Sequence, residues 1–280
     1  TGLRIYERLS ARNDIELLSL TEELRKDREA RREMLNAADI VFLCLPDDAA
    51  RESVSLISND TTAVIDTSTA HRTADGWAYG FPELSGRRDA IKSSKRIANP
   101  GCHASGFIAL VYPLVEKGII SKDILLSCFS LTGYSGGGKK MIAEYEAEDH
   151  DELLGAPRQY GLTQNHKHLP EMQKITGIAN KPVFIPVVDA FYSGMEVTVP
   201  LFASQLNNGF TLEDVKNEYT GLLHKNQIDI FVIGDVNEEE VIALCNEYFH
   251  FTSNQEFDSF YKIIGKLTIK FADNYFSFFL

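Results

Sequence analysis

The sequence predicts an α/β protein, with a doubly wound parallel-sheet domain followed by an α+β domain that holds a mixed or antiparallel sheet. Two observations support this prediction. Two continuously apolar runs, at residues 39–46 and 63–66, are typical of parallel strands buried on both faces. Two later runs, at residues 194–202 and 227–233, alternate apolar and polar residues, as strands do when one face of their sheet is packed and the other is not.

The first hundred residues alternate helices and strands in the manner of a Rossmann-like sheet. The chain opens as a helix, and residues 15–20 resemble a strand. Because an α/β domain usually places a strand before such a helix, and the chain begins at Thr1 without Met, we expect its start to be truncated. A strand, a helix and a strand then follow at residues 39–46, 47–57 and 63–66. We assign this domain to residues 1–100, with ligand contacts expected beyond the carboxyl ends of its strands.

From about residue 101 the pattern changes to that of an α+β domain, which we place at residues 101–250. A helix over 105–117, a strand over 124–129 and a glycine-rich turn over 132–139 are predicted in this order. Further on, Thr211 is placed to cap a helix between the two alternating strands. Because one face of the later sheet is unpacked, we expect a homo-oligomer. Residues 251–280 form a C-terminal segment that we leave unplaced.

Composition narrows the class of protein. A net charge of -12 over 280 residues argues against nucleic acid or an anionic membrane as a partner, since both require a basic face. No run of residues has the length of a membrane span. The four cysteines follow no paired spacing, which predicts a reduced, cytoplasmic protein with free thiols and no zinc site.

Cys102 is the candidate catalytic nucleophile. It follows the turn Asn99-Pro100-Gly101 after a short predicted strand at 96–98, and a helix follows it directly. A thiol at that position faces unpaired backbone N–H groups and the positive end of the helix dipole, which stabilise a thiolate. The alternative is a buried structural thiol, and apolar strand or helix patterns predict that role for the other cysteines, Cys44, Cys128 and Cys245.

A second group of titratable residues lies at 166–171. His166 and His168 precede a proline that can begin a helix, so one of the two could act as general acid and base for Cys102, with Glu171 orienting it. A metal site is the alternative, but no third ligand at a suitable spacing accompanies the histidines.

Two further features could bind anions. The run Ser135-Gly136-Gly137-Gly138-Lys139-Lys140 follows a predicted strand, and its amides and lysines could hold phosphate, although it lacks the spacing of a P-loop. Arg72 is a candidate anion clamp, the alternative being an ordinary surface arginine.

Taken together, these motifs resemble the N-acetyl-gamma-glutamyl-phosphate reductases, particularly their shorter bacterial subfamily within the wider semialdehyde dehydrogenase superfamily. The similarity covers about residues 1–235. It rests on six runs that occur in the family's order: Cys44-Leu45-Pro46, Asp66-Thr67-Ser68-Thr69-Ala70-His71-Arg72, Tyr79-Gly80-Phe81-Pro82-Glu83-Leu84, Asn99-Pro100-Gly101-Cys102, Gly133-Tyr134-Ser135-Gly136-Gly137-Gly138 and His166-Lys167-His168-Leu169-Pro170-Glu171.

The resemblance implies an enzyme of arginine biosynthesis, an NADPH-dependent oxidoreductase that converts N-acetyl-L-glutamyl 5-phosphate to the 5-semialdehyde and phosphate. It implies a thioester on Cys102 and proton transfer by His168. The residues implied to bind the substrate are Arg72, His166 and Glu171. The residues implied to bind NADP(H) are Thr1, Gly2, Ser68, Gly136 and Gly137.

Three alternatives remain open from the sequence. An acyl-phosphate reductase of the aspartate-semialdehyde dehydrogenase type shares the nucleophile, but its histidine lies in a different motif. A degenerate, non-catalytic relative is the second, because the family's first strand and C-terminal motif are not found in the sequence. A cysteine hydrolase is the third, although it has no need of a nucleotide-type sheet.

Overall fold

The computed structural model describes residues 2–225 and 278–279, which form two sheets with helices packed against them. The first sheet has four parallel strands in the spatial order β1-β2-β4-β3. Its strands are β1 (Ile40–Leu43), β2 (Ala63–Asp66), β3 (Ala78–Tyr79) and β4 (Arg96–Ala98). The helices in this half are α1 (Gly2–Ser10), α2 (Arg28–Ala37), α3 (Asp47–Ser55) and α4 (Arg87–Ser93).

The second sheet is mixed and has five strands in the order β6-β7-β5-β8-β9. Its strands are β5 (Ser127–Gly133), β6 (Arg158–Gln159), β7 (Val183–Asp189), β8 (Met195–Thr198) and β9 (Phe278–Phe279). The helices are α5 (Cys102–Glu116), α6 (Gly138–Glu146), α7 (Leu169–Thr176) and α8 (Leu212–Lys225). β5 pairs in parallel with β7, and the other three pairings are antiparallel. The predicted combination of a parallel sheet and a mixed sheet is confirmed.

The main core lies between the second sheet and the helices α5 and α7. It is built around large apolar side chains that are almost completely buried, among them Phe107, Met172 and Phe184. This packing brings the start of α5 and the start of α7 close to each other, and the candidate site lies there. A smaller core, in which α2 and α3 contribute Leu35 and Val54, covers one face of the first sheet.

Several predicted elements differ from the structure. Residues 15–20 form no strand, because no described strand lies beside them to supply hydrogen bonds. The expectation that β1 is buried on both faces is wrong, since Ile40 and Phe42 are 56% and 39% exposed while their neighbours face α2 and α3. The strand predicted at 124–129 begins instead at Ser127 and runs to Gly133.

Helix boundaries follow the predicted signals closely. α5 begins three residues earlier than predicted, at Cys102 itself, and ends before Gly118, whose φ of +68° suits a helix terminus. Thr211 does cap α8, with its hydroxyl accepting from the N–H of Asp214 at 3.4 Å. The predicted strand at 227–233 lies outside the described residues, as does Cys245. No helix in the described part of the chain has the length and apolarity needed to cross a bilayer.

Candidate active site

The turn between β4 and α5 places Cys102 at the first position of the helix. Backbone hydrogen bonds fix this turn at both ends, from the Asn99 N–H to the Asp66 carbonyl at 2.7 Å and from the Ser105 N–H to the Gly101 carbonyl at 2.8 Å. Cys102 is exposed, whereas Cys128 is fully buried and burial raises the pKa of its thiol to about 12. Cys44 is exposed as well, so the expectation that it is buried is wrong.

Glu171, on the first turn of α7, is almost completely enclosed beside this turn, with 1% of its surface exposed. One carboxylate oxygen accepts from the N–H of Gly101 and from the hydroxyl of Tyr79, both at 2.7 Å. The other accepts from Arg72 at 3.3 Å. Three donors from the first half of the chain thus converge on one side chain of the second half, as a buried carboxylate requires.

Arg72 lies almost buried behind the turn that carries Cys102. Besides its contact with Glu171, its Nε donates to the carbonyl of Asn99 at 2.9 Å and its Nη2 to the carbonyl of Thr67 at 3.0 Å. A guanidinium has five N–H groups, so these three bonds leave two of them available for another acceptor. The interpretation of Arg72 as an ordinary surface arginine is therefore wrong.

Gly101 allows His168 and Arg72 to approach the backbone directly before the nucleophile. A Cβ atom at this position would collide with Nε2 of His168 and with Nη1 of Arg72. The same small volume beside Cys102 is therefore bordered by an imidazole nitrogen and a guanidinium nitrogen. This is the arrangement that a general base and an anion-binding group beside a nucleophile require.

His168 occupies the N-cap of α7 and is 4% exposed. Burial, with smaller effects from the nearby charges of His166, His103 and Arg72, lowers its pKa to about 2. Its Nδ1 is buried and has no hydrogen-bond partner among the described residues. His168 is therefore held as a neutral imidazole. The ring of His166 lies edge-on to it at 4.7 Å between centroids.

His103, Ser130 and Tyr160 complete the site, and sequence reasoning did not find them. His103 follows Cys102 and is buried, with its Nδ1 2.6 Å from the Ser130 hydroxyl and its Nε2 2.8 Å from the Tyr160 hydroxyl. Its ring lies 5.5 Å from that of His168. The only signal in the sequence was a histidine beside the nucleophile. Nothing in the spacing indicated that residues 130 and 160 would meet it.

A polar turn at residues 67–69 directly follows β2, and it lies beside the carboxyl end of β1. Asp47, at the start of α3, accepts from the Thr69 N–H at 2.9 Å and from the Thr69 hydroxyl. Asp66, fully buried, accepts from the Ser68 N–H and hydroxyl at 2.9 and 2.7 Å, and it lies 2.6 Å from Nδ1 of His71. This ordered turn lies where parallel α/β sheets bind their ligands.

The other predicted cofactor contacts are glycines and Thr1, and the structure describes only some of their surroundings. Gly136 and Gly137 lie in a 3₁₀ turn directly before α6, and a Cβ at Gly136 would meet only the hydroxyl of Thr132, at 3.5 Å, so its backbone is open to a ligand. Gly2 begins α1, whereas Thr1 lies outside the described residues. No cluster of metal-ligating side chains exists in the described ranges, and the alternative of a metal site at His166 and His168 gains no third ligand there.

Two family models match the chain. "Semialdehyde dehydrogenase, NAD binding domain" matches residues 6–94, and "Semialdehyde dehydrogenase, dimerisation domain" matches residues 102–244. The parallel sheet and the mixed sheet thus correspond to the two domains of a semialdehyde dehydrogenase, and the chain belongs to that family.

Within this family, the similar curated proteins are named N-acetyl-gamma-glutamyl-phosphate reductase. The relative from Chelativorans sp. (strain BNC1) is 55% identical over 202 residues, which are 72% of this chain and 64% of that protein. The relative from Rhizobium etli (strain CIAT 652) is 43% identical over 249 residues, 88% of this chain and 80% of that protein. The resemblance stated from the motifs is confirmed. The match spans a little under two thirds of the length of the Chelativorans relative.

Solved structures show the same fold at low sequence identity. The aspartate semialdehyde dehydrogenase from Francisella tularensis superposes with a TM-score of 0.52 at 14% identity, covering 86% of this chain and 80% of that one. Aspartate semialdehyde dehydrogenase II from Vibrio cholerae gives a TM-score of 0.50 at 16% identity over 72% of this chain and 65% of that one. At these identities the similarity supports the fold class alone.

Proposed function

We propose that the protein catalyses the NADPH-dependent reductive dephosphorylation of N-acetyl-L-glutamyl 5-phosphate to N-acetyl-L-glutamate 5-semialdehyde in arginine biosynthesis. The observation that carries the proposal is the exposed Cys102 at the start of α5, with Nε2 of His168 beside the preceding glycine. The names of the similar proteins supply the substrate. We place the reaction in the cytoplasm, because the described thiols are free.

In the proposed mechanism, Cys102 is activated by neutral His168. The imidazole accepts the thiol proton, and the attraction between the resulting thiolate and imidazolium offsets the cost of a buried positive charge. The sulfur then forms a bond to the acyl carbon, and the bond from that carbon to the phosphate oxygen breaks. Inorganic phosphate leaves with the bonding electron pair, and a thioester on Cys102 remains.

Arg72 would hold the departing phosphate with its two uncommitted N–H groups, since a guanidinium matches the geometry of phosphate oxygens. Bound NADPH would supply a hydride to the thioester carbon. His168 would then donate its proton to the oxygen, which gives a thiohemiacetal on Cys102. It would take the proton back as the carbon–sulfur bond breaks, and this releases the aldehyde and restores the thiolate. His166, against the ring of His168, would shape the substrate side of the pocket.

The cofactor would bind along the carboxyl ends of β1 and β2. The turn at residues 67–69, held by Asp47 and Asp66, offers ordered polar groups at this edge. The 3₁₀ turn offers open backbone at Gly136, whereas the side chain of Met141 lies against Gly137. These features fit a dinucleotide lying across the sheet edge, with Ser68 and the two glycines as its contacts. Thr1 and Gly2, which lie at the start of the chain, are also proposed to contact the cofactor, and this proposal rests on the family resemblance alone.

We propose a division of the chain into a cofactor domain at 1–100 and a catalytic domain at 101–250. The match of the second part to a dimerisation domain supports a homo-oligomer, and small molecules remain the proposed partners, namely the acyl phosphate and phosphate.

The test is the reverse reaction, the NADP- and phosphate-dependent oxidation of N-acetyl-L-glutamate 5-semialdehyde, measured for the protein and for Cys102→Ser. We expect turnover with the unchanged protein and loss of turnover in the variant, because a serine hydroxyl does not ionise at neutral pH as a thiol can. Full activity of the variant would exclude the thioester mechanism. Preference for aspartate semialdehyde would instead favour the related acyl-phosphate reductase, and an absence of both turnover and NADPH binding would favour the non-catalytic relative.

A further inference from the structure

Three polar side chains form a continuous hydrogen-bonded chain beside the nucleophile. Ser130, on β5, lies 2.6 Å from Nδ1 of His103, and Tyr160, after β6, lies 2.8 Å from its Nε2. Ser130 is completely buried, and His103 is 4% exposed. The ring of Tyr160 also packs against that of His166 at 6.1 Å. The proposed mechanism assigns this chain no role.

The direction of the hydrogen bonds among these three side chains follows from which of them can donate. Within the described residues the Ser130 hydroxyl has no hydrogen-bond partner other than His103, and a buried hydroxyl must donate. Nδ1 of His103 is therefore the acceptor, and in the neutral ring the proton lies on Nε2. This N–H donates to the oxygen of Tyr160. The hydrogen of the Tyr160 hydroxyl is thereby left to point away from His103.

We propose that the Tyr160 hydroxyl donates a hydrogen bond to the oxygen of the reacting carbonyl, and that Ser130 and His103 act as positioning residues that aim it. The inference rests on the proposed function, because the acceptor is the oxygen that becomes negative when the Cys102 sulfur attacks. No proton is transferred in this contact, and proton transfer remains with His168. Donors fixed in advance at such an oxygen stabilise the transition state more than the ground state.

The electrostatics of the three groups agree with this role. Burial, with a further effect from the neighbouring Cys102, raises the pKa of Tyr160 to about 12, so the hydroxyl keeps its hydrogen at neutral pH. Burial, with smaller effects from His166 and Lys167, lowers the pKa of His103 to about 4. His103 therefore remains neutral, which the direction of the chain requires.

The first test is the variant Tyr160→Phe. Its control is Tyr192→Phe, which removes the hydroxyl of an exposed tyrosine whose ring contacts that of Tyr134. We expect kcat to fall about 10²- to 10³-fold in the first variant, with KM changed by less than about threefold, and neither to change in the second. The alkylation rate of Cys102 by iodoacetamide, measured on the same samples, should stay within about threefold. A kcat kept within threefold in Tyr160→Phe would overturn the proposal. If Cys102→Ser also stays active, the proposed function itself fails.

The second test separates positioning from structural support. Ser130→Ala should lower kcat about tenfold in the unchanged background and have no effect in Tyr160→Phe, because it acts only through that hydroxyl. An equal effect in both backgrounds would overturn the role of Ser130. Nitrogen-15 NMR of the histidines gives a readout that requires no turnover. We expect the proton of His103 on Nε2, and finding it on Nδ1 would overturn the proposed direction.

Discussion

At the scale of single residues, Glu171 links the turn that carries the nucleophile to the second half of the protein. Its two oxygens accept from Gly101, Tyr79 and Arg72, and its side chain has no exposed edge through which a substrate could be reached directly. Direct substrate binding by Glu171 remains a prediction from the resemblance. The observed contacts indicate that the carboxylate positions Arg72 and the Gly101 backbone.

Replacing Glu171 by Gln should destabilise the protein by about 3 kcal/mol or more, since the buried guanidinium of Arg72 then lacks its counter-charge. The matched control is Glu144→Gln, which removes a half-exposed ion pair with Arg158 and should cost less than about 1 kcal/mol. Chemical denaturation of both variants measures the difference. Equal stabilities would show that the buried pair contributes no more than the surface pair.

Gly101→Ala should lower kcat about 100-fold or more, because its Cβ would displace the imidazole of His168 and the guanidinium of Arg72. Gly155→Ala is the control, since a Cβ there meets nothing within 4 Å. The measurements are the reverse assay and circular dichroism. An active Gly101→Ala protein with unchanged spectra would contradict the observed crowding.

Among single residues, Cys102 could be proposed from the sequence because its evidence is local: a tight turn, a helix start and small neighbours. Its exposed position at the start of α5 agrees with that proposal, and its role as the nucleophile stays a prediction. Ser130 and Tyr160 were not, because they lie 27 and 57 residues from His103 and meet it only through the packing of the second sheet. Glu171 was noticed, but its partners lie 70 to 99 residues away, and no sequence pattern indicates which backbone N–H a buried carboxylate will bind.

At the scale of elements, the turn at residues 67–69 is held by the first residue of α3. Asp47→Ala removes the acceptor of the Thr69 N–H and hydroxyl, so the turn should loosen and the Kd for NADPH should rise about tenfold. Asp48→Ala is a close control, because Asp48 occupies the same first turn of α3 but is exposed and bound only to Arg51. Fluorescence titration with NADPH measures both constants. Equal increases of the Kd in the two variants would attribute the change to the loss of a negative charge at the start of α3, and not to the turn.

Elements with continuous local signals were predictable. The strands at 63–66 and 96–98 lie where the apolar runs placed them, and α8 begins after its predicted cap. The run at 15–20 is as apolar as a strand but has no described partner, and strand pairing is a long-range property. The error at β1 has the same origin, because an apolar run does not show whether one face or both are covered.

At the scale of the whole molecule, buried neutral histidines make stability depend on pH. The pKa of His103, about 4 in the folded protein, lies below the value of about 6.5 expected in the unfolded chain. The unfolded state therefore binds the proton first, so the stabilisation present above about pH 6.5 is lost as the pH falls towards 4. His168 acts in the same direction.

Replacing His103 by Gln should reduce the slope of unfolding free energy against pH between 6 and 4.5 by up to about 1.4 kcal/mol per pH unit. His150→Gln, at an exposed position, should leave the slope unchanged. Urea unfolding of the three proteins across this range gives the slopes. An unaltered slope in His103→Gln would show that the histidine is not held neutral in the native state.

The two-part architecture was predictable because runs typical of strands occur in both halves of the chain, although the continuous run at β1 did not report how far its faces are covered. How the two parts meet was not, since that contact depends on single side chains such as Glu171, which binds Tyr79 and Arg72 of the first part.

The contacts of Glu171 also bear on the order of assembly. Its donors are separated from it by 70, 92 and 99 residues, so they come together only when α7 has docked against the nucleophile turn. A nascent chain that has formed only the first sheet does not yet have His168 beside Gly101. It also lacks the carboxylate of Glu171, which binds Arg72 and the Gly101 backbone. A chain in which α7 has not yet docked therefore carries the proposed nucleophile, Cys102, without its proposed base, His168.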